Sequence, residues 1–478
     1  LYLHSFPTRR SSDLEIIVHN GKDKSIMKNQ IKFNHSIFLL AVLSVLFNLS
    51  AYSQVDIINN PLNSTEQEKP LSYFNIYRGN THAHTIFTWT HGAHREKSIT
   101  DLSQPTKFHP EWIVPRGMDW KNHNSINLNP DDYSNRQGLP ANHYALARKN
   151  GYDFYVVTDH TQEPTLQPVS IRNSNWQLLH QTADEFDKYP DFVALAGFEY
   201  SRNTSADGGS GHINVLNAAE YVNADHGQRG PALPWPEANW NIPLFYGWVK
   251  KAHVHQQKGH VVTGFNHPNP KQYDNWAHID DEIAELISTF EIHSRYNEAR
   301  WEAYIKALNK GWRVSPIGVL DNHGLDDIEN FPPPTYVLAP ELTRESITQA
   351  LRERRTFASW IEGVELRYSV NGLIMGSYLD KTGSYEFNVE ISTSQSNLNE
   401  RVRRIQILRN HSEGEDDVKV VEEMLFDGTK DKIVWHPVVK DQTANYFLLR
   451  VHHAKDINAD GAFKPEGSTI SAPVWIKH

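Results

Sequence analysis

His82-Ala83-His84 and Asp321-Asn322-His323 are the segments of this 478-residue chain whose residue types and spacing point most directly to chemistry. Residues i and i+2 of a strand project to the same side, so each pair can offer two donors to one ion. Between them, Thr158-Asp159-His160, Gly197-Phe198-Glu199, Gly211-His212 and Asn266-His267-Pro268 place further imidazoles and a carboxylate at the edges of predicted elements. Six histidines (His82, His84, His160, His212, His267 and His323) and the carboxylates Glu199 and Asp321 form the candidate set. Neutral imidazoles plus carboxylates able to bridge two cations suit a multinuclear centre for Zn, Mn or Fe. Two other pairs fail on geometry. His253-Val254-His255 falls on a predicted helix, where i and i+2 lie about 200° apart. His452-His453 are strand neighbours that face opposite sides. Both are read as structural or surface histidines.

The elements needed to hold the set follow from the pattern between about residues 75 and 358. Strands are predicted over Asn75–His84, Tyr152–Thr158, Phe192–Phe198, His212–Leu216, His260–Phe265, Ser288–Ile292 and Val314–Leu320. Helices are predicted over His143–Lys149, Trp176–Phe186, Leu244–Gln257 and Glu298–Leu308. Thr335–Leu338 and a helix over Arg344–Arg354 close this region. Such β-α repetition implies an α/β protein with a parallel sheet or barrel, and candidate ligands at strand ends imply a site at its mouth. A polar stretch at about 85–139 is long enough to be a functional loop or lid. From about 363 to 478 short alternating runs separated by polar turns predict a small antiparallel β-sandwich.

Composition narrows the function. Eighteen of the 26 histidines lie between His82 and His323, and the chain has no cysteine. Disulfides, thiolate-bound zinc, iron–sulfur clusters and a cysteine nucleophile are thereby excluded. A formal charge of −10 lacks the basic footprint of a nucleic-acid binder. Residues 1–26 lack apolar periodicity and resemble a translated adapter, so the natural start is expected at Met27. Lys28 and Lys32, the apolar run Ile37 to Phe47 and Ala51-Tyr52-Ser53 then describe a signal peptide over 27–53, followed by a linker over 54–74. The apolar run is too short to span a membrane. Export to the periplasm or beyond is the expectation.

The ordered motifs resemble those of the polymerase-and-histidinol-phosphatase (PHP) superfamily. GNTHAHT, VVTDH, GFEYS, GHINVLN, FEIHSR, LDNHG and ITQALRERRTFAS are similar to its secreted branch of the domain-of-unknown-function 3604 type, which includes relatives of carbaryl-type carbamate hydrolases. The resemblance spans roughly 75–358. It implies a distorted (β/α)7 barrel holding two or three divalent metals. By that resemblance His82, His84, Glu199 and Asp321 hold one metal, and Glu199 bridges to a second held by His212 and His267. His160 and His323 hold a third. The family's remaining ligand, an Asp or His shortly after HxH, has no direct counterpart. Thr90 stands near its place, with His91 beside it as a substitute.

The expected reaction is attack of a metal-bound hydroxide on a phosphoester of a small anionic substrate, with ester or carbamate hydrolysis at the same site as the alternative. A binding protein with structural metals is the alternative of another class. Asp159 either orients His160 and shuttles a proton, or is a turn residue at a strand end. Arg202 and Arg295 either contact the substrate or form surface salt bridges. Asp456, Asn458 and Asp460 match the first half of a calcium loop, but Gly467 occupies the twelfth position and no flanking helices are evident. A tight turn is the alternative there.

Overall fold

The computed structural model describes residues 66–88, 138–166, 169–202, 210–224, 241–253, 259–294, 300–394, 396–410, 417–464 and 467–477. The expected adapter, signal peptide and most of the long insertion, including His91, lie outside them, as does Arg295. The chain is α/β. Strands β1 (Asn75–Asn80), β2 (Phe154–His160), β3 (Val193–Ser201), β4 (His212–Leu216), β5 (Val262–Asn266), β6 (Ile287–Ser294) and β7 (Ser315–Val319) lie side by side in that order. Helices α1 (Pro140–Lys149), α2 (Ser174–Phe186), α3 (Ile242–Ala252), α4 (Asp281–Leu286), α5 (Trp301–Asn309), α6 (Asp326–Asn330) and α7 (Arg344–Arg352) connect or flank them.

The two faces of these strands bury different residues, as the period of two requires. Tyr155, Val157, Ala196, Phe198, Val215, Phe265 and Phe290 share one cluster with helix residues such as Tyr144, Trp176, Phe245 and Tyr304. Phe154, Val156, Val193, Leu195, Leu216, Val262, Ile317 and Val319 share another with Ile347, Ala350 and Leu351 of α7. Continuing this second alternation along β2 and β3 reaches His160 and Glu199. Beyond β7, Ala83 bridges Asn322 in parallel, the His84 amide donates to the Asn322 carbonyl, and the Asp321 amide donates to that of His82. The chain ends following β1 and β7 are thereby joined, and both histidine pairs meet there.

The sheet expected to be parallel is mixed, and one of its reversals bears on the site. β4 runs antiparallel to both β3 and β5. Its first residue, His212, therefore sits opposite Ser201 and Asn266, the last residues of its neighbours. A parallel β4 would have carried His212 to the opposite end of the sheet.

The boundary expected at 362 does not interrupt the sheet. β8 (Thr335–Ala339) pairs with β1 and with β9 (Thr356–Ser359). β9 in turn pairs with β19 (Thr469–Ser471). The intervening strands are β10 (Glu365–Val370), β11 (Leu373–Ile374), β12 (Tyr378–Asp380), β13 (Ser384–Ser392), β14 (Val402–Asn410), β15 (Val418–Leu425), β16 (Lys432–Trp435), β17 (Val438–Lys440) and β18 (Tyr446–His453), with β20 (Val474–Lys477) last. β10, β11, β13, β16 and β17 form a second sheet. Tyr368, Val389 and Trp435 from it share a core with Ile405, Phe447 and Val451 of the large sheet.

Where the two regions meet, His293 of β6 stacks obliquely on Trp360, whose carbonyl accepts from Lys455 Nζ. Burial, reinforced by Lys455 and opposed by Asp456, pushes the His293 imidazole down to about 4. The unfolded chain takes up this proton near the ordinary histidine value of about 6.5, whereas the folded chain refuses it. Stability contributed by the neutral imidazole is thus complete above that value and lost as pH falls toward 4, at about 1.4 kcal/mol per pH unit at most. Thermal melts of the wild type and His293→Gln between pH 7 and 4.5 should diverge, the wild type falling more steeply. Parallel curves would contradict this assignment.

Candidate metal centre

Glu199 stands at the centre of the histidine cluster, and its two oxygens face different partners. Oε2 lies 3.5 Å from both His82 Nε2 and His84 Nε2, and 3.0 Å from His160 Nε2. Oε1 lies 3.1 Å from His212 Nδ1 and 3.3 Å from His267 Nε2. Asp321 Oδ1 completes the first side at 3.5 Å from His82 Nε2 and 3.1 Å from His84 Nε2. The two Nε2 atoms of His82 and His84 are 3.0 Å apart. Such donor separations approach the ~3.3 Å edge of a tetrahedron whose centre is about 2.0–2.1 Å from each corner. Among the described residues, three groups could hold a metal ion: His82, His84 and Glu199; Glu199, His212 and His267; and His84, His160 and His323.

Several imidazoles are held from behind so that the opposite nitrogen points inward. His82 Nδ1 pairs with Glu291 Oε1 at 2.7 Å. His84 Nδ1 faces Thr88 Oγ1 at 3.3 Å, and His323 Nδ1 faces the Asp321 carbonyl at 3.3 Å. His160 Nδ1 is held by Ser201 Oγ at 2.8 Å and Gln162 Nε2 at 2.9 Å, and Ser201 donates to Gln162 Oε1 at 2.7 Å. A partner on one ring nitrogen fixes the tautomer and leaves the other lone pair free for a cation.

The electrostatics divide the rings: burial lowers three, whereas neighbouring carboxylates outweigh burial and raise His82, His160 and His267. Burial holds His84 well below the ordinary imidazole range, helped by His323 and His160. Burial also takes His323 down to about 4 and lowers His212. These rings are neutral donors. His82 is raised well above its usual value, because Glu291, Glu199 and Asp321 outweigh burial. Burial opposes ionisation of Glu199 and Asp321, but the surrounding histidines hold both below the usual carboxylate range.

Local backbone strain sharpens the placement. His267 and Asp321 have positive φ values of 29° and 47°. Tyr273, Asp274, Asn275 and Trp276 form a left-handed turn, with φ between 51° and 65°, a conformation costing about 1–2 kcal/mol per residue. It places Tyr273 Oη to donate to the carbonyls of His212 at 2.7 Å and Asn266 at 3.0 Å. Gly211, at φ 85°, passes so close that a Cβ would fall 2.3 Å from the Tyr273 ring.

Other expected residues are placed differently. The Asp159 carboxylate does not reach the His160 ring. It accepts from the Thr85 amide, Thr85 Oγ1 and Thr88 Oγ1, each at 2.8 Å. Adjacent strand residues face opposite ways, so Asp159 fastens the turn after His84 while Ser201 and Gln162 hold His160. Its carboxyl is raised to about 6 by burial, against the pull of the threonine hydrogen bonds. His84 joins His160 and His323 in the third group, while His91 lies outside the described residues. Arg202 follows β3 and is half-buried, but no polar contact among the described residues joins it to the cluster. The segment at 456–463 matches the tight-turn alternative. Asp456 is occupied by the His453 amide and by the Ser468 amide and hydroxyl, while Asn458 and Asp460 are exposed. The segment is a turn closed by an Ile457–Phe463 bridge. α3 ends at Ala252, so His253 caps a helix and bonds Thr263 Oγ1. His452 and His453 are buried structural residues, held by Arg404 and by the Glu400 carbonyl and Thr469 respectively. Glu291, Ser201, Gln162 and Tyr273 are absent from the sequence-based set, although Glu291 lies within FEIHSR and Ser201 within GFEYS.

Comparison with known proteins leaves the family open. No family model matches. The chain is 23% identical over 248 residues to an uncharacterised Chlamydia pneumoniae protein, covering 48% of this chain and 38% of that one. The chain therefore spans less than half the length of that relative. A solved structure, PsfC from Pseudomonas syringae, is 11% identical and covers 59% of this chain and 90% of its own, with a TM-score of 0.28.

The collision at Gly211 gives a direct test of ligand placement. Gly363 has a comparable φ of 69° with no atom within 4 Å of an added Cβ. Gly363→Ala should cost about 1 kcal/mol in thermal stability from backbone strain alone. Gly211→Ala should cost about 1–3 kcal/mol more and lower bound metal as His212 shifts. Equal melting temperatures and metal contents would show that Tyr273 does not fix His212.

Proposed function

We propose that this chain is an exported metal-dependent hydrolase with a PHP-type (β/α)7 barrel followed by a β-sandwich. The division of the Glu199 oxygens between two imidazole groups carries this reading, because one carboxylate so shared suits a pair of cations. His82, His84, Glu199 and Asp321 would hold one cation, and Glu199, His212 and His267 a second. His84, His160 and His323 supply donors for a third. Zn, Mn and Fe all suit this donor set. Such cations supply Lewis acidity, lowering the pKa of water and polarising the bond to be cleaved.

The chain's own residues divide the remaining work. Glu291, Thr88 and Ser201 orient the imidazoles from behind. Asp159 fixes the turn that carries His84 toward the cluster. On the open side, Asp321 is the carboxylate that would hold a cation where solvent and substrate can reach it. Asp321, His212, His267 and His323 retain 16–23% side-chain exposure, whereas His82, His84 and Glu199 are nearly sealed. An edge open to solvent supports catalysis over a closed structural metal site.

The proposed substrate is a small phosphoester, following the motif resemblance. The apolar run 37–47 behind two lysines supports export, and no helix among the described residues is long and apolar enough to cross a membrane. The net charge of −10 argues against nucleic acid as the partner. The test is turnover by the Mn- or Zn-loaded protein of phosphomonoesters, phosphodiesters and aryl carbamates. Phosphoester turnover should vanish on chelation, return with metal, and fall on the order of 100-fold or more in Asp321→Asn. Preferential carbamate turnover would replace the substrate class, and no turnover on any panel member would refute the hydrolase reading.

A further inference from the structure

Glu291 is a buried carboxylate on β6 whose two oxygens reach two of the candidate metal groups. Oε1 accepts from His82 Nδ1–H at 2.7 Å, directing His82 Nε2 toward His84, Glu199 and Asp321. Oε2 accepts from the His267 amide at 2.6 Å. That amide belongs to a residue at φ 29°, a backbone state that an L-residue holds only when its surroundings impose it. The His267 ring reaches Glu199 Oε1 on the other side of the bridge. One side chain thus orients a ring in the first group and a strained backbone in the second.

We infer that Glu291 is a positioning residue coupling the two groups, so that both lose affinity when its two-acceptor character is lost. The inference rests on the metal-centre reading. Its chemistry lies in the number of acceptors. Both neighbours of Glu291 are N–H donors, and only a carboxylate presents an acceptor to each. A glutamine of the same shape cannot. With its carbonyl toward His82, its NH2 meets the His267 amide donor-to-donor. In the reverse orientation, its NH2 donates to His82 Nδ1, moving the ring proton to Nε2 and removing the lone pair a cation needs. Either arrangement breaks one contact without removing volume from the core, and the loss reaches the other group through Glu199, whose two oxygens the groups share.

The experiment compares wild type, Glu291→Gln, Glu291→Asp and His212→Ala by titration of metal-free protein with Zn, read as stoichiometry and affinity. Glu291→Gln should weaken both sites together, by on the order of 10–100-fold. Glu291→Asp keeps two acceptors and should recover part of that loss. His212→Ala should weaken one site and leave the other. NMR of the metal-free proteins gives a readout independent of metal. The wild type should show a downfield, exchange-protected His82 ring proton that moves upfield or disappears in Glu291→Gln while the melting temperature changes little. Wild-type affinity at either site in Glu291→Gln, or an unchanged His82 ring proton, would overturn the inference. A wild type that binds no Zn but whose His82 proton responds as expected would refute the metal reading while supporting Glu291 as the anchor of that ring.

Discussion

His82, His84, His160, His212 and His267 are arranged around the one carboxylate of Glu199. It is buried, ionised by the histidines that surround it, and divided so that each oxygen serves a different set. An isolated buried carboxylate is costly and would protonate. Here the imidazoles, or cations in their place, stabilise the charge. Much of the surrounding structure is explained by the need to bring histidines from four chain segments to within 3.0–3.5 Å of its two oxygens.

That requirement accounts for irregularities that a simple β-α repeat lacks. Reversal of β4 brings the beginning of one strand to the ends of its neighbours, which is how His212 joins the others. The left-handed turn at 273–276 stores strain, yet its tyrosine holds the carbonyls of two adjacent strand ends. Glycine at 211 leaves the space that Tyr273 occupies. Strained backbone at His267 and Asp321 falls at proposed ligand positions, where pre-organisation is most useful.

Much of this site was legible in the sequence. Pairs at i and i+2 beside strands identified His82, His84, Asp321 and His323, and the expected strand His212–Leu216 has the bounds of β4. Alternation reports which residues share a face but carries no strand direction, so the reversal of β4 was hidden. It is equally silent about which edge pairs with which, and the pairing of β9 with β19 across residue 362 could not be read. Asp159 has two readings along the chain, and its contacts with Thr85 and Thr88 match the turn residue, since adjacent strand residues diverge. Glu291 looked like an ordinary polar strand residue because its partners, His82 and the His267 amide, are 209 and 24 residues away. A resemblance built on ligands likewise says little about the groups that hold those ligands.

The central claim is that Glu199 joins two cations. Anomalous diffraction from crystals of the purified protein, recorded at the Zn, Mn and Fe edges, tests it most directly. The account predicts two peaks about 3.5–4 Å apart, one on each side of Glu199, with His82 and His84 at one and His212 and His267 at the other. A single peak away from Glu199, or an empty cluster after loading with each metal, would contradict it.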